Sequence, residues 1–338
     1  MATASAAPQD RPMVLVYIGD DDPSRGDAHG SAGVGRKIAQ KIGGTFHFIG
    51  DKDLAALYPE EKTKADALAH YFRDHGKPDV LLSKFWRIHD KALGKDKPLS
   101  LFEDNNEYLS HKYLGEHSLV NHHVTPEMLA AEGQKFRDAY PGLPSPLVAV
   151  LMAKVDDVEA FAEKLISKAA AHPEAAIFVT SIWRTPPENY EHLMEALTRH
   201  AKAQGAEDRL KIIGYPFRKG EDAKARYNPY LGLLDAADHL IVTGHSLSMM
   251  TEPMAAGKSP LLFEPGQDHS SLEQKGLVRD FNKAAARAPF DSSKIGPFNP
   301  TDAIAEKMAK EFRQKSFHRK LSPAIWMKKI GTALRRAL

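Results

Sequence analysis

The sequence predicts an α/β protein of two Rossmann-like domains, each carrying a parallel sheet and facing a common cleft. Three observations predict it. Short apolar runs of strand length alternate with helical patterns along most of the chain, the arrangement of successive βαβ units. At 338 residues, 42% apolar and 27% charged, the chain is large enough for two ordinary domains with sizeable cores. Pro141-Gly142-Leu143-Pro144-Ser145-Pro146 is its strongest breaker. The expected division is a loose tail over 1–12, a first domain over 13–141, a linker at 142–146, a second domain over 147–300, and C-terminal helices over 301–338.

In the first half, Met13–Ile18 reads as a strand, followed by a long polar loop from Gly19 to Gly30 and a helix from about Ser31 to Ile42. Phe46–Ile49 is the second strand, a helix covers roughly 61–75, and Val80–Leu82 is the third strand. The stretch from Lys84 to Tyr113 reads as a strand with flanking loops. Thr125-Pro126-Glu127 then caps a helix running to Tyr140. In the second half, strands at 147–152, 176–180 and 210–214 alternate with helices at 156–171, 188–203 and 229–236. Leu240-Ile241-Val242 is a further strand, Thr243-Gly244-His245-Ser246 a small polar turn, and Ser246 the cap of a helix that ends at Gly257. Pro260–Phe263 is the next strand.

Composition excludes several chemistries. With no cysteine, disulfides, thiolate metal sites and cysteine nucleophiles are absent. No apolar run approaches the roughly 18 residues of a transmembrane helix. Residues 1–12 make a poor signal or transit peptide, so the expectation is a cytoplasmic protein. Net charge is +2, but residues 310–338 hold nine Lys/Arg against Glu311 alone. The body is therefore mildly acidic, which argues against nucleic acid as a partner. From Ser322 to Leu338, Trp326, Ile330, Ala333, Leu334, Ala337 and Leu338 share one helical face, with Lys328, Lys329, Arg335 and Arg336 opposite. That pattern suits an anionic membrane surface, peripheral on its inner face. It equally suits a helix packed on the body.

Three loops of the second half follow strands and should line the ligand crevice of a parallel sheet. Thr243–Ser248 leads into a helix whose N–H groups suit a phosphate, and Glu252 lies about a turn and a half along, placed to accept from ribose hydroxyls. The plain alternative is an ordinary βαβ unit. Ser181-Ile182-Trp183-Arg184-Thr185-Pro186 offers Arg184 as a bidentate phosphate ligand, or as a helix-start arginine paired to Glu188. Ala153-Lys154 offers a positive charge, or a surface lysine. The histidines His111, His117, His122 and His123 show no metal-ligand spacing, and Asp20-Asp21-Asp22 reads as a solvated turn. No metal site is expected.

The residues Thr243-Gly244-His245-Ser246-Leu247-Ser248-Met249-Met250-Thr251-Glu252-Pro253 resemble the signature Thr-Gly-Asp-Ser-x-Ser-Met-x-x-Glu-Ala of the mitochondrial-fission "elongated mitochondria" family, with His245 for its Asp and Pro253 for its Ala. Arg184, Thr185 and Pro186 match that family's Thr-Thr-Ser-Arg-Arg-Thr-Pro, and Leu272–Phe281 resembles its Leu-x-x-x-Gly-x-x-Arg-x-Phe. The family's Gly-Gly pair is replaced by Ala153-Lys154. The resemblance implies a GT-B-like fold. It implies donor-side residues Lys154, Ser181, Arg184, Thr185, Thr243, Gly244, His245, Ser246, Ser248, Met249 and Glu252 around a nucleotide-diphosphate sugar, which serves as substrate, with no resident cofactor. Ala28-His29-Gly30 resembles the family's Gly-His stretch, which implies His29 as the base at an acceptor hydroxyl. A solvated loop histidine is the alternative, and Asp20, Asp21 and Asp22 are alternative bases. Bacterial members look like glycosyltransferases of envelope glycans. Plant members recruit a dynamin-like GTPase to mitochondria, so a non-catalytic adaptor at a membrane surface is the second function implied.

Overall fold

The computed structural model describes residues 11–18, 26–83, 91–93, 98, 100–103, 106–116, 119–218, 226–283, 290, 295–296 and 298–321. The basic tail, with Lys328, Lys329, Arg335 and Arg336, and the candidate bases Asp20, Asp21 and Asp22 lie outside these residues, as does the His29 side chain. The chain forms two compact units, Met1–His123 with Pro300–Leu338, and Val124–Asn299.

The first unit carries a parallel sheet in the order β2-β1-β3-β4. Its strands are β1 (Met13–Tyr17), β2 (Thr45–Ile49), β3 (Val80–Ser83) and β4 (Ser100–Glu103). Every residue of β1 is buried, as expected of a strand covered on both faces. The two-residue period divides its side chains. Val14 and Val16 join Val34 and Ile38 of α1 (Gly26–Ile42) on one face. Leu15 and Tyr17 join Leu54 of α2 (Asp51–Leu57) and Leu68 and Phe72 of α3 (Lys64–His75) on the other. Helix α4 (Asn106–Leu114) and the long α11 (Pro300–Leu321) complete the first face through Leu109, Ile304 and Met308. The chain thus returns to this unit after Asn299. Thr301 fixes the return, since its hydroxyl accepts from the His122 N–H at 2.7 Å and donates to the His122 carbonyl at 2.8 Å.

Two expectations are corrected here. Residues 26–30 are the first turns of α1 rather than loop, so His29 sits on a helix. Gly33 is there for packing: a Cβ would stand 2.3 Å from the His122 carbonyl oxygen. The unit boundary also falls at Val124, not at 142–146. Helix α5 (Pro126–Ala139) belongs to the second unit because Phe136 and Tyr140 pack on Phe178 with ring centroids 5.5 and 5.0 Å apart.

The second unit holds six parallel strands in the order β10-β9-β8-β5-β6-β7. They are β5 (Leu147–Met152), β6 (Ala175–Ser181), β7 (Leu210–Tyr215), β8 (His239–Thr243), β9 (Leu261–Phe263) and β10 (Arg279–Asp280). Helices α6 (Val158–Ala169), α7 (Pro187–Ala203), α8 (Tyr230–Ala236), α9 (Leu247–Ala255) and α10 (Ser270–Gln274) connect them. Val148, Val150, Ile177, Val179 and Ile241 meet Phe161, Leu165, Leu193 and Leu197 of α6 and α7 in one core. Numbered from β5, the sheet reads 3-2-1-4-5-6. The connection direction reverses between β5 and β8, which is where such sheets open a ligand crevice beyond their carboxyl ends.

Candidate functional site

The residues following β5 and β8 meet at this switch point. The Ala153 N–H donates to the Thr243 carbonyl at 3.3 Å, and the Gly244 N–H donates to the Phe263 carbonyl at 3.0 Å. Gly244 adopts a φ of +67°, and a Cβ on it would lie 2.9 Å from both the backbone N and O of Lys154. Glycine is required there on both counts. Glu264 braces the Lys154 side of the loop by accepting the Asp156 and Asp157 N–H groups at 2.6 and 3.1 Å.

Helix α9 starts directly beyond this contact. Ser246 holds the N-cap position with extended backbone, but its side chain makes no capping bond, which corrects the expected side-chain cap. The Met250 N–H is the first to bond back, to the Ser246 carbonyl at 3.0 Å. The N–H groups of Leu247, Ser248 and Met249 therefore lack intrahelical acceptors. Thr243, fully buried, has a hydroxyl with no partner. Met249 is 3% exposed, so only its backbone is available to a ligand. The helix start thus presents unsatisfied N–H donors where the helix dipole is positive, a setting for an anion.

Glu252 is 8% exposed and bonded by the Tyr230 hydroxyl at the start of α8. Burial pushes its carboxyl up to about 7, and the Tyr230 hydrogen bond holds it from rising further. The Tyr230 phenol is raised well above its usual value by its own burial and by Glu252. Asn228 seats Tyr230 by accepting its N–H at 3.0 Å. Asn228-Pro229-Tyr230-Leu231 resembles the family's approach to this site, but spacing gave no sign of the Tyr230–Glu252 bond, because 22 residues and a strand separate the two. Removing that hydroxyl in Tyr230→Phe should raise the Glu252 carboxyl further and destabilise the fold by about 1–3 kcal/mol, the cost of an unpaired buried acceptor. A pH series of melting temperatures against the parent protein measures both effects.

The remaining predicted residues are placed as follows. Lys154 is exposed and ion-paired to Asp156. Arg184 is exposed, with its guanidinium carbon 5.6 Å from the Trp183 ring centroid. The Thr185 hydroxyl is engaged within the fold, donating to the Met152 carbonyl at 2.7 Å and accepting from the Ile182 N–H at 3.0 Å. Ser181 accepts from the Phe217 N–H at 2.8 Å. His245 is exposed, with Nδ1 3.3 Å from the Pro265 carbonyl; burial, and after it the nearby His245, lowers the His269 imidazole. Thr243, Gly244, Ser246, Ser248 and Glu252 gather around the α9 start, while Ser181, Arg184 and Thr185 follow β6, one strand beyond β5. Among the described residues, Glu60, Glu61 and His70 in the first unit are the group able to hold a metal. His70 Nδ1 lies 2.9 Å from Glu61, and its ring stacks on Tyr58 with centroids 4.3 Å apart.

The family model for mitochondrial fission ELM1 matches residues 116–312, more than half of the chain. The chain belongs to the mitochondrial fission ELM1 family. The match covers α5 to β10, with the whole α9 loop and the Tyr230–Glu252 pair, and most of α11. Among solved structures, the UDP-GlcNAc 2-epimerase of Neisseria meningitidis, solved bound to UDP-GlcNAc, is similar over 90% of this chain and 100% of that one, at TM-score 0.53 and 12% identity. AviGT4, a glycosyltransferase involved in avilamycin A biosynthesis, matches over 89% and 97% at TM-score 0.44 and 11% identity. Anabaena Alr3699/HepE, in complex with UDP and glucose, matches over 90% and 99% at TM-score 0.32 and 10% identity. None of the curated proteins matches. The epimerase likeness is one of fold, and this ELM1-family chain has the GT-B-like α/β architecture. No helix among its described residues is long and apolar enough to cross a membrane.

Proposed function

We propose that this ELM1-family protein binds a nucleotide-diphosphate sugar at the β5–β8 switch point and transfers its glycosyl group to an envelope-type acceptor. The observation that carries the reading is a positive-φ glycine turn followed by free helix N–H groups at the start of α9, with the buried Glu252 carboxyl about a turn and a half along the same helix. In this reading the diphosphate meets the Ser246, Leu247 and Ser248 backbone, with Arg184 and Lys154 as flanking charges. Ribose hydroxyls donate to the Glu252 oxygen that Tyr230 leaves free. His29 serves the acceptor as base. The similar epimerase is solved bound to UDP-GlcNAc, which supports the ligand class.

A melting-temperature screen tests this directly. UDP or UDP-sugar at 100 times its dissociation constant should stabilise the protein by about 2.7 kcal/mol, several times more than uridine or inorganic phosphate at equal concentration. Equal responses to all four would remove the nucleotide site. The adaptor alternative expects no nucleotide response.

The membrane reading of the tail rests on its sequence. With each basic residue contributing about 1 kcal/mol near an anionic surface, the full chain should sediment with phosphatidylglycerol vesicles and detach in high salt. A chain ending at Leu321 should stay in the supernatant. Identical behaviour of the two chains would dismiss this role for Lys328, Lys329, Arg335 and Arg336.

A further inference from the structure

Four large apolar side chains are exposed among the described residues, and two of them, Trp183 at 67% and Phe217 at 46%, lie at the carboxyl ends of neighbouring strands. β6 pairs with β7 through Thr180 and Tyr215, and each strand runs out into an aromatic–arginine pair, Trp183-Arg184 and Phe217-Arg218. Their backbones are held in place. The Thr185 N–H closes a turn onto the Ile182 carbonyl at 2.9 Å, putting Trp183 and Arg184 at its two corners. The Thr185 hydroxyl ties that turn to the end of β5 at the Met152 carbonyl. The Ser181 hydroxyl, by accepting the Phe217 N–H, ties the second pair to the first. The Arg184 guanidinium attends one side of the Trp183 ring, and among the described residues no carboxylate pairs with Arg184 or Arg218.

An exposed indole on a pinned turn offers a fixed face on which a ligand can stack. Aromatic faces take the C–H faces of sugar rings, and unpaired guanidiniums take carboxylates or phosphates bidentately. Strands are spaced about 4.8 Å apart, so the end of β6 lies roughly 10 Å from the end of β8. That is the reach of a sugar lying beyond a diphosphate seated on the α9 loop.

We propose that Trp183, Arg184, Phe217 and Arg218 form a stacking shelf for an anionic saccharide, a sugar ring bearing a carboxylate or phosphate. The shelf rests on the nucleotide-sugar reading of the neighbouring loops. It names the chemistry of the glycosyl or acceptor group at that site.

Tryptophan fluorescence of the full chain, titrated with trigalacturonate, maltotriose and phosphatidylglycerol vesicles, tests the proposal, with UDP binding followed in parallel by calorimetry. Trigalacturonate should shift the emission to the blue saturably, and salt should weaken the response. Maltotriose should bind at least tenfold more weakly. The shift should vanish in Trp183→Ala, and calorimetric saccharide affinity should return in Trp183→Phe. Phe217→Ala should weaken trigalacturonate at least tenfold while UDP affinity stays within twofold of the parent. No trigalacturonate response, equal binding of maltotriose, or a shift produced by vesicles alone would overturn the shelf. UDP binding that persists in those cases leaves the nucleotide reading standing. A trigalacturonate response without UDP binding would instead sink the nucleotide reading and, with it, the shelf's assignment to that site.

Discussion

Glu252→Gln is expected to weaken UDP binding by about 1.5–3 kcal/mol, the range for hydrogen bonds to a charged group, while leaving the protein folded. Glutamine keeps an acceptor for the Tyr230 hydroxyl but removes the ionisable carboxyl. The accompanying pH behaviour follows from the position of that carboxyl, raised by burial from 4.5 to about 7. Below pH 4.5 the folded and unfolded chains both hold the proton. Between 4.5 and about 7 only the folded chain does, so this group's contribution to stability falls as pH rises and levels off above about 7. The loss is on the order of 3 kcal/mol. Ribose hydroxyls donate hydrogen bonds and so favour the ionised carboxylate. UDP affinity should therefore rise with pH up to about 7, by at most tenfold per unit, and then level. Glu252→Gln should flatten the stability profile and leave UDP affinity only the pH dependence of the UDP terminal phosphate, which titrates near 6. A parent protein whose UDP affinity is flat from pH 5.5 to 8 would exclude Glu252 as the ribose ligand.

Gly244→Ala is the second substitution with a large expected effect. The left-handed backbone at Gly244 costs an L-residue about 1–2 kcal/mol. The added methyl also meets the Lys154 backbone N and O at 2.9 Å each, and neither is the end of a flexible side chain. The contact that closes the β5 and β8 loops on one another must open. The melting temperature should drop by several degrees and UDP binding should be lost. Gly276→Ala is the control, because Gly276 has a φ of +70° with nothing within 4 Å of a new methyl. It bears the backbone cost alone and should keep UDP affinity. Equal losses in the two variants would show that backbone strain, and not the loop contact, explains the effect.

The second unit was readable because its chemistry is local. Fully apolar runs such as Leu147–Met152, punctuated by Gly and Pro, gave strands in nearly their observed positions. The alternation of strand and helix gave the parallel sheet. The first unit was harder for reasons visible in particular residues. Gly26 and Gly30 read as loop, yet Gly30 and Gly33 are small so that α1 can lie against the backbone of Asn121 and His122. Helix α2 begins at Gly50, whose N–H is taken by Asp53 at 2.9 Å, without the Ser or Thr that marks a start in sequence. The Pro-rich stretch at 141–146 turns the chain inside the second unit, because the aromatic contacts of Phe136 and Tyr140 outweigh the break in pattern. At the candidate site, the strand, glycine turn and helix that carry Gly244 and Glu252 were legible as local structure. Asn228-Pro229-Tyr230-Leu231 resembles the family's approach to this site, but the Tyr230–Glu252 bond and the Glu264 brace were not legible, since both are tertiary contacts that no spacing encodes.

The most direct test of the account is calorimetric titration of UDP at pH 6.5 in two buffers of different ionisation enthalpy, on the parent protein and Glu252→Gln. Binding that deprotonates Glu252 releases a fraction of a proton near its midpoint of about 7, in addition to any exchanged by the UDP terminal phosphate, which titrates near 6, so the observed heats should differ more between buffers for the parent than for the variant. Saturable UDP binding with that proton release is the predicted result. Absence of UDP binding, or the same proton release in Glu252→Gln, would contradict it.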